Sequence, residues 1–247
     1  MCGVAASAGQ LKCLAYAHEN GCPWDESTCS LAASNGRLEC LKYARENGCA
    51  WNSDVCEVAA ARGHVDCLAY AHENGCPWDE STCSLAAWNG NMDCLAYAHE
   101  HGCPWDASTC SRAALGGHLH CLMYAHAQGC PWNSTLCAIA AKYGHLDCLA
   151  YAHENGCPWD RQTCEYADAH AQFQCLAYAY ERGRPVITLS SRARKYLDVR
   201  ERSATRVASA YRAWIARRHA DVDLVLAGRW GRAAPRPLRS IQDERTM

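Results

Sequence analysis

A cysteine returns every 27 residues, at Cys13, Cys40, Cys67, Cys94, Cys121, Cys148 and Cys175, and nearly everything around it returns in phase. Trp24, Trp51, Trp78, Trp105, Trp132 and Trp159 keep the same spacing, as do the glycines from Gly21 to Gly183 and the alanine pairs from Ala5-Ala6 to Ala140-Ala141. A fixed period of this size marks a stacked array, in which each unit buries its apolar face only against its neighbours. Chain length then measures the number of units rather than the number of domains.

One unit, Asp25 to Trp51, reads as two short helices. Asp25 offers an N-cap oxygen, and Asn52, Asp79, Asp106, Asn133 and Asp160 repeat the offer. The first helix is expected to end near Ser34, and Asn35-Gly36 makes the turn. Leu38, Cys40, Leu41, Tyr43 and Ala44 then give an apolar face at helical spacing. Gly48 supplies a left-handed residue after the second helix, and in most units a proline two residues on (Pro23, Pro77, Pro104, Pro131, Pro158) prevents continuation. Helices this short are marginal alone, so small residues such as Ala32-Ala33 and Ala44 must admit close packing between pairs, with the tryptophan covering the gap between units. The phase gives six complete units over 25–186 and a partial one over 1–24. The first unit lacks its capping aspartate. The last carries Asp168, Ala171, Arg184 and Val186 where the others have Ala, Gly, Cys and Trp, as suits a terminal unit with a polar outer face.

Two stretches, SLAASNGRLECLKYARENG and AIAAKYGHLDCLAYAHENG, resemble the ankyrin repeat in the leucine-alanine-alanine first helix, the Gly-His turn and the aliphatic second helix ending in Asn-Gly. CLAYAHENGCPWDEST followed by CSLAA is similar to the shortened ankyrin-type repeats of giant DNA viruses of amoebae, such as pandoraviruses. The resemblance covers residues 1–186 and implies an all-α solenoid of helical pairs that binds a protein partner, a host protein if the likeness extends to viral origin. It departs from the ordinary 33-residue repeat where CPWD replaces the hairpin finger, which removes the usual fingertip contacts. Viral relatives often add an F-box; Met1 begins inside a unit, so none is expected ahead of the array.

The two positions after each alanine pair vary most: Ser34-Asn35, Ala61-Arg62, Trp88-Asn89, Leu115-Gly116, Lys142-Tyr143 and Ala169-His170. In ankyrin repeats these positions line the concave recognition face, so Arg62, Trp88, Asn89, Leu115, Lys142 and Tyr143 are the candidate protein-binding residues. Aromatic and arginine side chains are the usual anchors of such surfaces. Arg112 stands in a column otherwise holding Val4, Leu31, Val58, Leu85, Ile139 and Tyr166, read here as core, where a guanidinium must snorkel or pair.

The 20 cysteines fall into three columns, represented by Cys13, Cys22 and Cys29. Equivalent residues of stacked helices lie about 8–10 Å apart, beyond the ~7 Å Cα limit for a disulfide, so thiols acting as small core residues are expected. A metal site is not. Cys67 and His72, five residues apart on one helix, diverge by roughly 140°, and no C-x-x-C pair occurs. The clusters His99/His101 and His118/His120 are placed near turns, facing solvent. No G-x-S-x-G, H-E-x-x-H or phosphate loop occurs, so no enzyme and no cofactor is expected. A thiol-rich metal or redox protein is the rival reading.

Residues 1–186 carry 10 Lys/Arg against 20 Asp/Glu, whereas 187–247 carry 14 against 6. The acidic array argues against nucleic acid as its partner. A basic helical extension is expected over 187–227, followed by a disordered end over 228–247. Val207, Tyr211, Trp214 and Ile215 share one face of a basic amphipathic helix. VASAYRAWIAR resembles an IQ motif, with Val207, Arg212 and Arg217 matching its apolar and basic positions and Ala208 and Ala213 replacing its Gln and Gly. This implies a helix for calmodulin or a myosin-type light chain, set against one that folds back over the end of the array. No run of about 18 apolar residues and no leader is seen, so a monomeric, intracellular and cytoplasmic protein without membrane attachment is expected.

Overall fold

The computed structural model describes residues 1–182 and 190–201, with side chains to Leu197. Fourteen helices alternate in pairs along 1–182, and all described regular structure is helical. The first helices are α1 (Cys2–Ala8), α3 (Glu26–Ser34), α5 (Asp54–Arg62), α7 (Glu80–Trp88), α9 (Ala107–Gly116), α11 (Ser134–Tyr143) and α13 (Arg161–Ala169). The second helices are α2 (Leu11–Glu19), α4 (Leu38–Glu46), α6 (Val65–Glu73), α8 (Met92–Glu100), α10 (Leu119–Ala127), α12 (Leu146–Glu154) and α14 (Phe173–Glu181). A further helix, α15 (Ser191–Glu201), follows.

Local chemistry sets the helix ends. The Asp25 carboxylate accepts from the Ser27 amide at 3.0 Å, and Asp79, Asp106, Asn133 and Asp160 repeat this at 2.8–3.1 Å. Asn52 does the same for the amide of Asp54. At the other end of α3, the amides of Gly36 and Arg37 donate back to Ala33 and Ala32, with Gly36 at φ 65°. Such an arrangement satisfies carbonyls that the helix leaves unpaired. In the last unit Ala171 takes this conformation at φ 55°, the one described non-glycine to do so, where a Cβ is sterically disfavoured.

The core runs the length of the array as columns. Leu14, Leu41, Leu68, Leu95, Leu122, Leu149 and Leu176 are fully buried, as are the alanines at 32–33, 59–60, 86–87, 113–114 and 140–141. Small side chains let the first helices approach one another more closely than the second helices do, so the array curves with the first helices on its inner side. Thr82, Thr109 and Thr163 are buried with their hydroxyls unpartnered, in a column where Val55 and Leu136 also fit; shape, not the hydroxyl, is what the site selects.

All 20 cysteines are thiols, buried except for exposed Cys13 and half-buried Cys22. Two columns make a connection that periodicity does not reveal. The Cys49 thiol donates to the Asp25 carbonyl at 3.2 Å. Cys76, Cys103, Cys130 and Cys157 reach the matching carbonyls of Asn52, Asp79, Asp106 and Asn133 at 3.1–3.2 Å. The start of each first helix is thereby tied to the segment after the second helix of the same unit.

The end of the array differs from the polar outer face expected of the last unit. Asp168 is half-buried and its carboxylate accepts from the Ser190 amide (2.8 Å) and hydroxyl (2.5 Å). Ser190 in turn caps α15, whose Tyr196 stacks on Phe173 at 5.2 Å while Ala193 and Leu197 are buried. The polar substitution at 168 therefore receives a following helix rather than water.

Candidate functional site

The inner side of the array presents a stripe of large side chains on successive first helices. The reason is angular. Thr28, Cys29, Ala32 and Ala33 occupy the buried face of α3, and Leu31 lies about 200° round the axis from Cys29. The column of Val4, Leu31, Val58, Leu85, Arg112, Ile139 and Tyr166 is therefore a surface column, not the core column expected: Val4 is 74%, Leu31 39% and Tyr166 38% exposed, and the others are half-buried. Arg112 needs no rescue from a core, and lies over the Trp88 ring at 5.2 Å.

The sequence-expected binding residues cluster beside this column, at the C-terminal ends of neighbouring first helices. Trp88 (42%) and Tyr143 (48%) are exposed, Arg62 and Asn89 are exposed, and Leu115 and Lys142 are half-buried. Lys142 Nζ sits over Tyr143 at 5.3 Å and over Tyr166 at 5.9 Å. Two cation–aromatic groups thus stand on the face, one built from α7 and α9 and the other from α11 and α13. Asn89 is partly spent: its amide donates to the Leu85 carbonyl at 2.9 Å. Arg112 and Tyr166 join the face although variability alone did not select them; the outward angle of their column was the available signal.

On the other side, between the second helices, runs a ladder that sequence reading missed. His126 stacks on Trp132 at 3.7 Å, Trp132 meets the edge of Tyr151 at 6.2 Å, and His126 Nδ1 lies 3.0 Å from the Tyr151 hydroxyl. His99, Trp105 and Tyr124 repeat the arrangement, as do His153, Trp159 and Tyr178. Where the histidine is replaced, Arg45 covers Trp51 at 4.3 Å. The rings fill the space left where second helices stand apart, which is the gap-covering role expected of the tryptophans. His99 is consequently half-buried rather than facing solvent; His101 and His120 are exposed.

His118 is likewise drawn inward. It belongs to a turn column whose side chains cross to the preceding unit: His145 Nε2 bonds the Leu115 carbonyl at 3.1 Å, and Asn91 donates to the carbonyls of Ala60 and Ala61 at 2.9 Å. A Cβ on Gly117 would stand 2.4 Å from His145 Nδ1, so this turn requires glycine for space as well as for its φ of 73°.

These histidines couple stability to pH. Burial lowers the pKa of His72, His99, His126 and His118, with a neighbouring imidazole adding to the effect at His72 and His118. A histidine depressed in the folded state binds more protons when unfolded, so its contribution is full above the unfolded value near 6.5 and is lost as pH falls through and below it. Glu57 and Glu100, raised by burial, oppose this only near the bottom of that window. Thermal melts are expected to show Tm falling from pH 7.5 to pH 5.5; a flat profile would contradict the ladder's burial.

No group of three or more potential metal ligands occurs among the described residues. A surface hollow of about 560 Å³ is lined by Asp25, Glu26, Ser27, Ser30, Ala50 and Asp54, but Asp25 is engaged in capping and Glu26 accepts from Asn52. The residues set out for a light-chain helix, Val207, Tyr211, Arg212, Trp214, Ile215 and Arg217, lie outside the described residues. No described helix is long and apolar enough to cross a membrane.

No protein-family model and no curated protein matches the chain. Among solved structures, the crystal structure of the human ASB11 ankyrin repeat domain is similar with a TM-score of 0.57 at 19% identity, over 67% of this chain and 87% of that one. At that identity the likeness bears on fold. With its paired helices and left-handed glycine turns, the chain has the ankyrin-repeat fold.

Proposed function

We propose that the chain is a non-catalytic scaffold that binds a partner protein through the inner face of the array, centred on Trp88, Arg112, Leu115, Lys142, Tyr143 and Tyr166. The carrying observation is that Trp88 and Tyr143, the large exposed aromatics of the middle units, share this face with cations stacked on them. Ankyrin folds generally serve protein–protein interaction, which supports the reading. Arg62 and Asn89 extend the same row toward the amino end. Rigid aromatic surface and arginine carry most binding energy where they are desolvated together.

The resemblance of the 27-residue units to those of giant viruses points to a host protein as the partner and to the host cytoplasm as the place of action. Crosslinking and affinity capture with the full chain, followed by binding measurements on the recovered partner, test the surface. Trp88→Ala combined with Tyr143→Ala is expected to weaken binding by at least ~2 kcal/mol, about thirtyfold, if both act as anchors. Helicity and Tm should stay close to wild type, because both side chains stand outside the buried columns. Unchanged affinity in the folded double variant would move the recognition surface elsewhere.

A further inference from the structure

We infer that the partner presents an acidic segment whose carboxylates pair with Arg112 and Lys142 and whose apolar side chain lies between them against Leu115; this rests on the inner-face reading. The observation is a segregation of charge. Residues 79–159 carry two Lys/Arg and seven Asp/Glu. Both cations, Arg112 and Lys142, stand on the inner face beside its aromatic rings. All seven carboxylates stand elsewhere: Asp79, Glu80 and Asp106 at the starts of first helices, and Asp93, Glu100, Asp147 and Glu154 on second helices. At the inner positions of the flanking units the carboxylates are Glu57 and Glu165, and Glu165 is already paired with Arg161.

Neither cation is spent inside the array. Among the described residues neither joins an ion pair. Arg112 lies over the Trp88 ring at 5.2 Å and Lys142 over the Tyr143 ring at 5.3 Å. A ring engages one side of a cation and leaves N–H donors for an oxygen acceptor. Lys142 stands in the last turn of α11, where the partial negative charge of the helix end accounts for part of its placement. Arg112 is in the middle of α9, where no helix end calls for it. Glu80, at the start of α7, is about 12 Å from Trp88 by helix rise, beyond the ~8 Å reach of a surface charge at physiological salt. The face is thus locally positive on an array that is acidic as a whole.

The same segregation selects among anions. Residues 1–186 carry 20 Asp/Glu against 10 Lys/Arg, so a long polyanion such as RNA meets repulsion beyond the face. A short acidic segment confines its charge to the two cations. Neighbouring first helices pack about 8–10 Å apart, which sets the carboxylates for Arg112 and Lys142 about 10 Å from each other. In an extended chain, at about 3.3 Å per residue, that is about three residues. Half-buried Leu115 lies between the cations, and exposed Trp88 and Tyr143 flank it, so the segment must also carry an apolar side chain.

The test is selection of random displayed peptides on the full chain, followed by affinity measurements on synthetic copies of the recovered sequences. The expected peptides are enriched in Asp and Glu over the unselected library, carry an apolar residue beside them, and weaken as salt is raised. Arg112→Leu, which installs the residue the column holds at Leu31 and Leu85, combined with Lys142→Gln should keep helicity and Tm. It should lower affinity at least about tenfold, the worth of a charge-assisted hydrogen bond. Arg112→Glu with Lys142→Glu should turn the selection toward basic peptides. Neutral or basic peptides on the wild-type chain, an affinity indifferent to the cation changes, or displacement by polyuridylate would overturn the acidic partner. Trp88→Ala with Tyr143→Ala tests the face separately. Peptides that lose affinity there but show no acidic bias keep the face and remove its charge preference; peptides indifferent to both sets of changes, or a selection that recovers none, overturn both.

Discussion

Replacing Leu122 by alanine is expected to cost about 3 kcal/mol and to lower Tm by roughly 6–12 °C. Leu122 lies in α10 with no exposed surface, in the middle of a leucine column buried from Leu14 to Leu176. Truncating a buried leucine removes its transfer free energy and leaves a cavity that the surrounding helices fill only in part, with costs of about 2–5 kcal/mol. At this chain length each kcal/mol is worth about 2–4 °C. Position within the array adds a second expectation. Stability in a solenoid is a sum of unit and interface contributions, so a loss at Leu122 weakens one unit and both of its interfaces. The same change at Leu14, beside an α1 whose N-cap makes no side-chain bond, loosens an end and leaves the main transition nearly in place. Thermal and urea melts of the two variants check this; equal losses would mean that the array unfolds as one indivisible body.

Tyr151→Ala is expected to cost a further large amount, about 3–5 kcal/mol by the scale of buried aromatic truncations. Tyr151 is 6% exposed, its ring edge meets Trp132, its hydroxyl bonds His126, and burial raises the phenol to about 12. Tyr151→Phe keeps the ring and removes the hydroxyl, so it should cost only about 1 kcal/mol, the net worth of a hydrogen bond. The pair of variants separates ring packing from the His–Tyr bond. A Phe variant as damaged as the Ala variant would show that the hydroxyl, rather than the ring, holds the second helices together.

The candidate face shows where periodicity runs short. Trp88, Leu115 and Tyr143 could be picked out because they break the repeat, and the structure sets them in one row with Lys142. Arg112 breaks it as well, but the Val, Leu and Ile that fill its column read as interior. Apolar content alone does not separate a core column from an apolar surface stripe; the angle from Cys29 and Ala32 does, once the buried face is known. His99 and His118 turn inward, against the solvent-facing expectation, for a related reason. Both lie beside turns, and a turn residue faces solvent unless the next unit supplies a ring or a carbonyl to receive it, as Trp105 and Tyr124 do for His99.

The unit, its two helices and its turns are legible in the residues alone. These are local matters: an Asp or Asn oxygen reaching an amide two residues on, a left-handed glycine, a proline past the helix end. Which residues meet follows from the packing of one unit on the next. His126 joins Tyr151 across 25 positions, His145 joins Leu115 across 30, and Cys110 joins Cys130 across 20. The chain repeats the same residue in every unit, so phase says that a column exists and not what it touches. Contact depends on the rise and rotation from one unit to the next, and those follow from how closely the alanine-lined first helices pack relative to the ring-filled second helices.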